Sequence, residues 1–387
     1  MKLAVTVLVF CVAALLALGM VMLYSSSMAQ AGSRYLIMQM IWCGLGLVSA
    51  VTITFLDYRF LKRIWWILLG AAVLLLVLVL VPHIGVVRGN ARRWFALGPA
   101  SFQPSEFAKV AVLIALAWYG ERYRRQMPNL KTGIVIPGLV IGVAAGLIFK
   151  EPDVGNALLL ASVSGIVLLI AGIRLSYFLP PVLVATAGVA LFIAHNPMRS
   201  ERIYSWLHVE ETKQAKGMQA YQAMVALGSG GVTGKGLGDG RQKLGFVPEH
   251  HTDFIFSIIG EELGLVATLL VVAAFVAFVI SGLYISVNAA DTFGLLLGSG
   301  ITFLIGLQAF INIGVVTSAL PNKGLPLPFI SYGGSNLLVM LSCVGILLSI
   351  ARHARLSDTK SDRSTDSEEP SLFRPQRNPF KHPRYST

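Results

Sequence analysis

Apolar residues run through this chain in blocks, and most of the polar breaks between them are short. The first block follows Lys2 and reaches about Leu23. Further blocks cover about 36–55, 64–82, 106–119, 132–149, 156–173, 176–194, 254–285, 292–317 and 330–351. A bilayer-crossing helix needs about 20 apolar residues. The pattern therefore predicts an all-α polytopic membrane protein of about ten transmembrane helices. Ala29-Gln30-Ala31 is shaped like a signal-peptide cleavage site, but the first block exceeds the usual apolar core of about 7–15 residues. An uncleaved first span is expected. Two polar intervals are long, 83–105 and 195–253. From Ser357 the chain turns to Ser, Asp, Arg and Pro, too poor in apolar residues to bury a core. Residues 1–355 read as the membrane domain and 356–387 as a disordered cytoplasmic tail.

Composition agrees: of 387 residues, 55% are hydrophobic and 13% charged, where soluble domains carry about 25% charged. Mean hydropathy is +0.71. Cys11, Cys43 and Cys343 all fall in apolar blocks with no metal-ligand spacing and no disulfide framework. The net charge of +12 does not point to nucleic acid, because the basic residues are spread over loops and tail. Their distribution instead orients the chain. Arg59, Lys62 and Arg63, then Arg122, Arg124, Arg125 and Lys131, then Arg174 follow even-numbered spans. This places both termini in the cytoplasm. Arg88, Arg92, Arg93, Lys150 and Lys323 then face outward, against the bias, and an anionic ligand is the reason proposed for them. The segment 195–253 is too long for the rule and is also placed outside, between spans seven and eight.

Four polar stretches carry candidate chemistry. In Arg88-Gly89-Asn90-Ala91-Arg92-Arg93-Trp94, guanidinium groups suit a pyrophosphate, and Trp94 suits a sugar face or the membrane interface. Next come Ser105, a candidate helix cap, and Glu106 with Lys109, paired at i, i+3 on one helix face. The pair reads either as functional or as a structural ion pair. In Lys150-Glu151-Pro152-Asp153, Asp153 orders a site, holds a cation, or caps the next helix, and capping is the simpler reading. The stretch 217–262 is rich in glycine and carries Lys235, Arg241 and Lys243, followed by the cluster Glu249-His250-His251-Thr252-Asp253. Its glycines let backbone N–H groups approach an anion, but no Walker motif is present. The adjacent histidines lack the spacing of a zinc site. Thr252 and Asp253 read as an N-cap pair, or Asp253 as a carboxylate base. Glu261 and Glu262 are expected to point into the bundle. Last, Lys323 to Ser335 combines prolines and glycines at membrane depth, the pattern of a broken or re-entrant segment. Within it Ser331 is a candidate substrate contact.

The motifs NARRWFALGP with QPSEFAK, EPDVGNA, GSGGVTGKGLGDGRQKLGFVPEHHTDFIFSIIGEELG and NIGVVTSALPNKGLPLPFISYGGS together resemble the SEDS family of bacterial envelope proteins. The resemblance runs from Met1 to about Arg355. It is nearer to the cell-division branch and its sporulation relative than to the elongation branch. Against the family pattern, Glu151 stands for a commoner Gln, Asn156 for Thr, His250 for Ala or Arg, and Asp239 for Ser. Ser318-Ala319 stands for Gly-Leu and Asn336 for a second Ser.

The resemblance implies a peptidoglycan glycosyltransferase of the bacterial inner membrane, at the division septum, with its active site outside the cytoplasm. It would polymerise lipid II into β-1,4-linked strands, inverting the anomeric carbon and releasing undecaprenyl pyrophosphate. By motif, Asp253 is the implied catalytic base. Trp94, Glu106, Lys109 and Asp153 match other functional positions. Arg92, Arg93, Lys150, Lys235, Lys243, Glu249, His251, Lys323 and Ser331 complete the candidate substrate-binding set. No organic cofactor is implied; a divalent cation, Mg2+ or Mn2+, is a candidate partner of the pyrophosphate. A class B penicillin-binding protein, with other divisome proteins, is the implied protein partner. Two other functions are weighed: a lipid II flippase, which a ten-helix bundle with intramembrane charges also suits, and a scaffold that recruits a transpeptidase.

Overall fold

The computed structural model describes residues 1–27, 34–88, 91–98, 100–212, 217–242, 252–322 and 324–366. In chain order come α1 (Lys2–Ser27), α2 (Arg34–Phe55), α3 (Leu61–Leu80), strands β1 (Val86–Arg88), β2 (Ala91–Leu97) and β3 (Ala100–Phe102), α4 (Pro104–Arg122), α5 (Ile136–Lys150), α6 (Val154–Ile170) and α7 (Leu175–Ala194). Then follow α8 (Pro197–Leu207), α9 (Met218–Ser229), α10 (Ile255–Val287), α11 (Thr292–Val316) and α12 (Gly334–Asp366). Every apolar block coincides with a helix. Eight of these helices, among the described residues, are long and apolar enough to cross a membrane. α6 is shorter, and α4 carries the Glu106–Lys109 pair inside an otherwise apolar helix. The all-α expectation misses β1–β3, an antiparallel three-stranded sheet in the order β1-β2-β3. α12 also runs past the expected boundary at 355 to Asp366, since no Gly or Pro interrupts the chain between Gly345 and Pro370. The rest of the tail, and Ala29-Gln30-Ala31, lie outside the described residues.

α2 packs along α12, α1 along α10, α10 along α11, and α3 along α4. Between apolar helices in lipid, close approach and interhelical hydrogen bonds hold the bundle. At the α2–α12 crossing, a Cβ on Gly345 would lie 2.6 Å from Ala50 O. Ser49 and Ser342 hydroxyls meet there at 2.7 Å. Trp65 and Trp118 stack at 4.1 Å between α3 and α4. Cys11, Cys43 and Cys343 are free thiols.

The two ends of the bundle differ. At one, Arg59 pairs with Asp291 at 2.9 Å, Lys62 pairs with Glu121, and Arg124 Nη1 donates to Thr292 Oγ1 at 3.3 Å. At the other, the sheet, the 151–153 turn, the 252–254 turn and the segment 324–331 come together. The connections after spans two, four and eight thus gather at one end, and the described parts of those after spans three, five, seven and nine at the other.

Candidate active site

Side chains alternate faces along a strand. On β2 that alternation sends Arg92 and Arg93 apart. Arg92 Nη1 donates to Leu80 O at the end of α3 (3.3 Å). Arg93 turns to the α5–α6 connection, where Nε donates to Glu151 O (3.0 Å) and Nη2 to Pro152 O (2.9 Å). Its Nη1 lies 3.6 Å from Asp153 Oδ2. The pair is therefore not one two-pronged phosphate clamp, and both guanidinium groups are engaged with the protein. The side chain of Arg88 is not among those described. Trp94 is half-buried on β2 opposite Val86.

Asp153 caps α6, as the simpler reading held: Oδ1 accepts from Asn156 N at 3.2 Å. Its other oxygen, Oδ2, accepts from Gln103 Nε2 (3.1 Å) and Asn156 Nδ2 (3.0 Å). The network continues inward. Lys109 Nζ donates to Asn156 Oδ1 (2.9 Å), Glu106 Oε1 (3.0 Å) and Gln308 Oε1 (3.3 Å). Glu106 Oε2 accepts from Asn336 Nδ2 at 2.7 Å. Glu106 and Lys109 are wholly buried, and a buried ion pair persists only with such additional hydrogen bonds. Ser105 is not the expected cap. Gln103 holds the N-cap position of α4, and Ser105 Oγ, buried within the first turn, finds no partner among the described residues.

Glu151 differs from its neighbours. Both carboxyl oxygens are buried and lack a hydrogen-bond partner among the described residues. Burial first, and then the charge of Asp153, push its pKa up to about 8, against a smaller opposing effect of Arg93. Lys150 is exposed at the end of α5.

Asp253 stands just ahead of α10. Phe254 occupies the N-cap position with no side-chain cap, so the capping alternative for Asp253 is not the arrangement found. The nearby helix N-terminus favours negative charge. Asp253 lines a cavity of about 400 Å³ with Arg202, Trp206, Gln219, Asn322 and Gly324. Arg202 and Trp206 lie on one face of α8, and Trp206 Nε1 donates to Ser318 O at 2.8 Å. Asn322 Nδ2 donates to Gln219 Oε1 at 2.9 Å. Gly324 presses on the carboxylate: a Cβ there would lie 2.2 Å from Asp253 Oδ2. Ser331 supports this corner and does not open onto it. Its buried hydroxyl accepts from Leu327 N (2.8 Å) and donates to Thr252 O (2.5 Å).

The glycine-rich loop wraps the protein's own carboxylates. Glu261 accepts from Arg241 N (3.0 Å) and Gln242 N (3.1 Å), and Glu262 from Gly238 N (3.1 Å). Lys235 Nζ pairs with Glu261 Oε1 at 3.0 Å and donates to Ser229 Oγ at 2.9 Å. Ser25 of α1 donates to Glu262. Both glutamates point into the bundle, as expected. Gly264 (φ 77°, ψ −172°) breaks α10 directly after them, and Leu265 N then bonds Gly231 O at 2.9 Å. Lys235 is thus held in an ion pair and is not among the residues that line the cavity.

The structure brings Arg93, Glu106, Lys109 and Asp153 into one network and sets Asp253 and Ser331 beside it. Lys243, Glu249, His251 and Lys323 lie outside the described residues. So does His250. Among the described residues, no group of three or more His, Cys, Asp or Glu side chains could hold a metal ion. Sequence reasoning passed over Arg202 and Gln308. Arg202 lies in the segment 195–253, which the loop-charge rule does not cover, and no motif marked it; Gln308 is an amide in an apolar span, at i, i+4 from Asn312.

These features define a class: a multi-pass membrane protein in which a buried polar network underlies a cavity holding a carboxylate and a guanidinium. The FtsW/RodA/SpoVE family model, described as cell cycle protein, matches residues 6–356, and the chain belongs to that family. It is 40% identical over 358 residues to a probable peptidoglycan glycosyltransferase FtsW of Trichlorobacter lovleyi, covering 91% of this chain and 94% of that one. It is 36% identical over 348 residues to stage V sporulation protein E of Bacillus subtilis, covering 88% and 95%. A solved chain from a study of how a peptidoglycan synthase complex coordinates polymerization and crosslinking matches with TM-score 0.74 and 30% identity, covering 90% of this chain and 97% of that one. The rod shape determining protein RodA of Thermus thermophilus matches with TM-score 0.67 and 30% identity, covering 90% and 96%.

Proposed function

We propose that this chain is a peptidoglycan glycosyltransferase that polymerises lipid II during septal wall synthesis, with Asp253 as its general base. The observation that carries the reading is the placement of Asp253 and Arg202 on one cavity of about 400 Å³. Glycosyl transfer by single displacement needs a base at the attacking hydroxyl and positive charge at the leaving group. Asp253 takes the proton of the acceptor GlcNAc 4-hydroxyl. The freed oxygen attacks the anomeric carbon of the lipid-linked MurNAc. The bond to the pyrophosphate oxygen breaks with inversion, and undecaprenyl pyrophosphate leaves with both electrons of that bond. Arg202 offers charge-assisted hydrogen bonds to the departing pyrophosphate.

The cavity lies on the extracytoplasmic side of the inner membrane. The gathering of Arg59, Lys62 and Arg124 at the other end of the bundle supports that orientation. A class B penicillin-binding protein is the proposed partner, which the family and the peptidoglycan synthase complex support.

The test is product. Purified protein in detergent, given lipid II, is expected to form glycan strands, because polymerisation needs no second compartment. Movement of lipid II across proteoliposomes with no polymer in either setting would instead favour the flippase.

A further inference from the structure

α11 carries two buried amides one turn apart, Gln308 and Asn312. The i, i+4 spacing sets them on one face, and that face receives the segment 324–331. Gln308 Nε2 donates to Pro326 O at 2.9 Å and Asn312 Nδ2 to Leu325 O at 2.6 Å. Consecutive carbonyls of the segment are thus held by consecutive turns of the helix. The segment is neither helix nor strand there, and Leu325, Leu327, Phe329 and Ile330 are buried around it. Irregular backbone in such apolar surroundings depends on partners of this kind.

Each amide also reaches a second partner outside the segment. Asn312 Nδ2 donates to Asp253 O at 2.8 Å, and Gln308 Oε1 accepts from Lys109 Nζ at 3.3 Å. Ser331 holds the preceding carbonyl, Thr252 O. The backbone of Asp253 is therefore tied to the same segment whose Gly324 presses on its carboxylate. In the other direction the ties lead through Gln308 to the Lys109–Glu106 pair.

We propose that Gln308 and Asn312 are positioning residues for the transfer reaction, carrying the placement of Lys109 to Asp253. Both act through backbone carbonyls of the segment and of Asp253, and neither touches substrate. The inference rests on Asp253 being the base. A misplacement of about 1 Å at a reacting group costs about a hundredfold in rate, and this amide pair sets the position of that group.

The experiment compares lipid II polymerisation by full-length wild type, Asn312→Leu, Gln308→Met and Asp253→Asn in detergent, with Tm for each. Asn312→Leu keeps the shape, adds no charge beside Asp253 and removes both donors. Gln308→Met cuts the link to Lys109 and leaves the Asp253 bond in place. The expected result is a kcat lowered about tenfold or more in both amide variants, with KM within about twofold of wild type. The acid limb of the kcat–pH profile stays where it is, because the carboxylate itself is retained. Wild-type kcat in folded amide variants overturns the proposal; so does a raised KM with intact kcat, or a displaced acid limb. If Asn312→Leu does not fold, the same outcomes in Gln308→Met, the milder change, decide. An active Asp253→Asn overturns the base assignment instead, whichever way the amide variants behave.

Discussion

Lys109 Nζ sits 3.0 Å from Glu106 Oε1 and 2.9 Å from Asn156 Oδ1, in a pocket that leaves neither charged side chain exposed. Neither partner can lose the other cheaply. Removing one member of a buried pair strands a charge and costs about 3–5 kcal/mol, whereas replacing both by neutral groups of similar volume costs far less. Lys109→Met and Glu106→Gln are each expected to lower the Tm of the detergent-solubilised protein sharply. The double variant is expected to recover most of that loss. Activity should not return with stability, since the link through Gln308 is gone.

Glu151 makes stability depend on pH. Its folded pKa is raised to about 8 from 4.5, so the folded state holds a proton that the unfolded state releases. Stability from this group is fully present below pH 4.5 and is lost as pH rises toward 8. Glu151→Gln keeps the neutral form at every pH. It is expected to raise Tm at pH 8.5, to change it little at pH 5, and to flatten the slope between them.

The grip on Glu261 and Glu262 depends on backbone that only glycine supplies. Gly234 has φ 81°, and a Cβ there would lie 2.2 Å from Glu262 O; Gly264 has φ 77°, with its Cβ 2.4 Å from Gly234 N. Left-handed backbone alone costs a non-glycine residue about 1–3 kcal/mol. Gly234→Ala and Gly264→Ala are expected to lower Tm and to expose the loop to proteolysis. Gly98→Ala shares the positive φ but meets nothing within 4 Å, and its cost should be the smaller.

Arg202 shares the cavity with Asp253. A hydrogen bond to a charged group contributes about 1.5–3 kcal/mol. Arg202→Ala is expected to lower kcat/KM for lipid II about ten- to a hundredfold without lowering Tm. Arg202→Lys should restore part of it, since the charge remains without the fork.

The spans were legible because apolar blocks of bilayer length leave few other folds. The sheet was missed although its signal was present: Gly89-Asn90 separates two runs rich in β-prone residues, a hairpin pattern. Counting 83–105 as a polar loop concealed it. Glu106, Lys109 and Asp153 could be picked out individually, as charges at membrane depth or beside a turn. Their union could not, because the groups that join them, Gln103, Asn156, Gln308 and Asn336, are neutral amides that stand far apart in the chain. The glycine-rich loop was read as a cradle for an outside anion. Its N–H groups cradle Glu261 and Glu262, some twenty residues on, and only the fold shows that those carboxylates turn back toward it.

Asp253→Asn is the most direct measurement. The substitution keeps size and shape and removes the base. In purified protein whose Tm matches wild type, glycan strand formation from lipid II is expected to fall at least a hundredfold with little change in lipid II binding. Wild-type strand yield from that folded variant would contradict the assignment of Asp253 as the base.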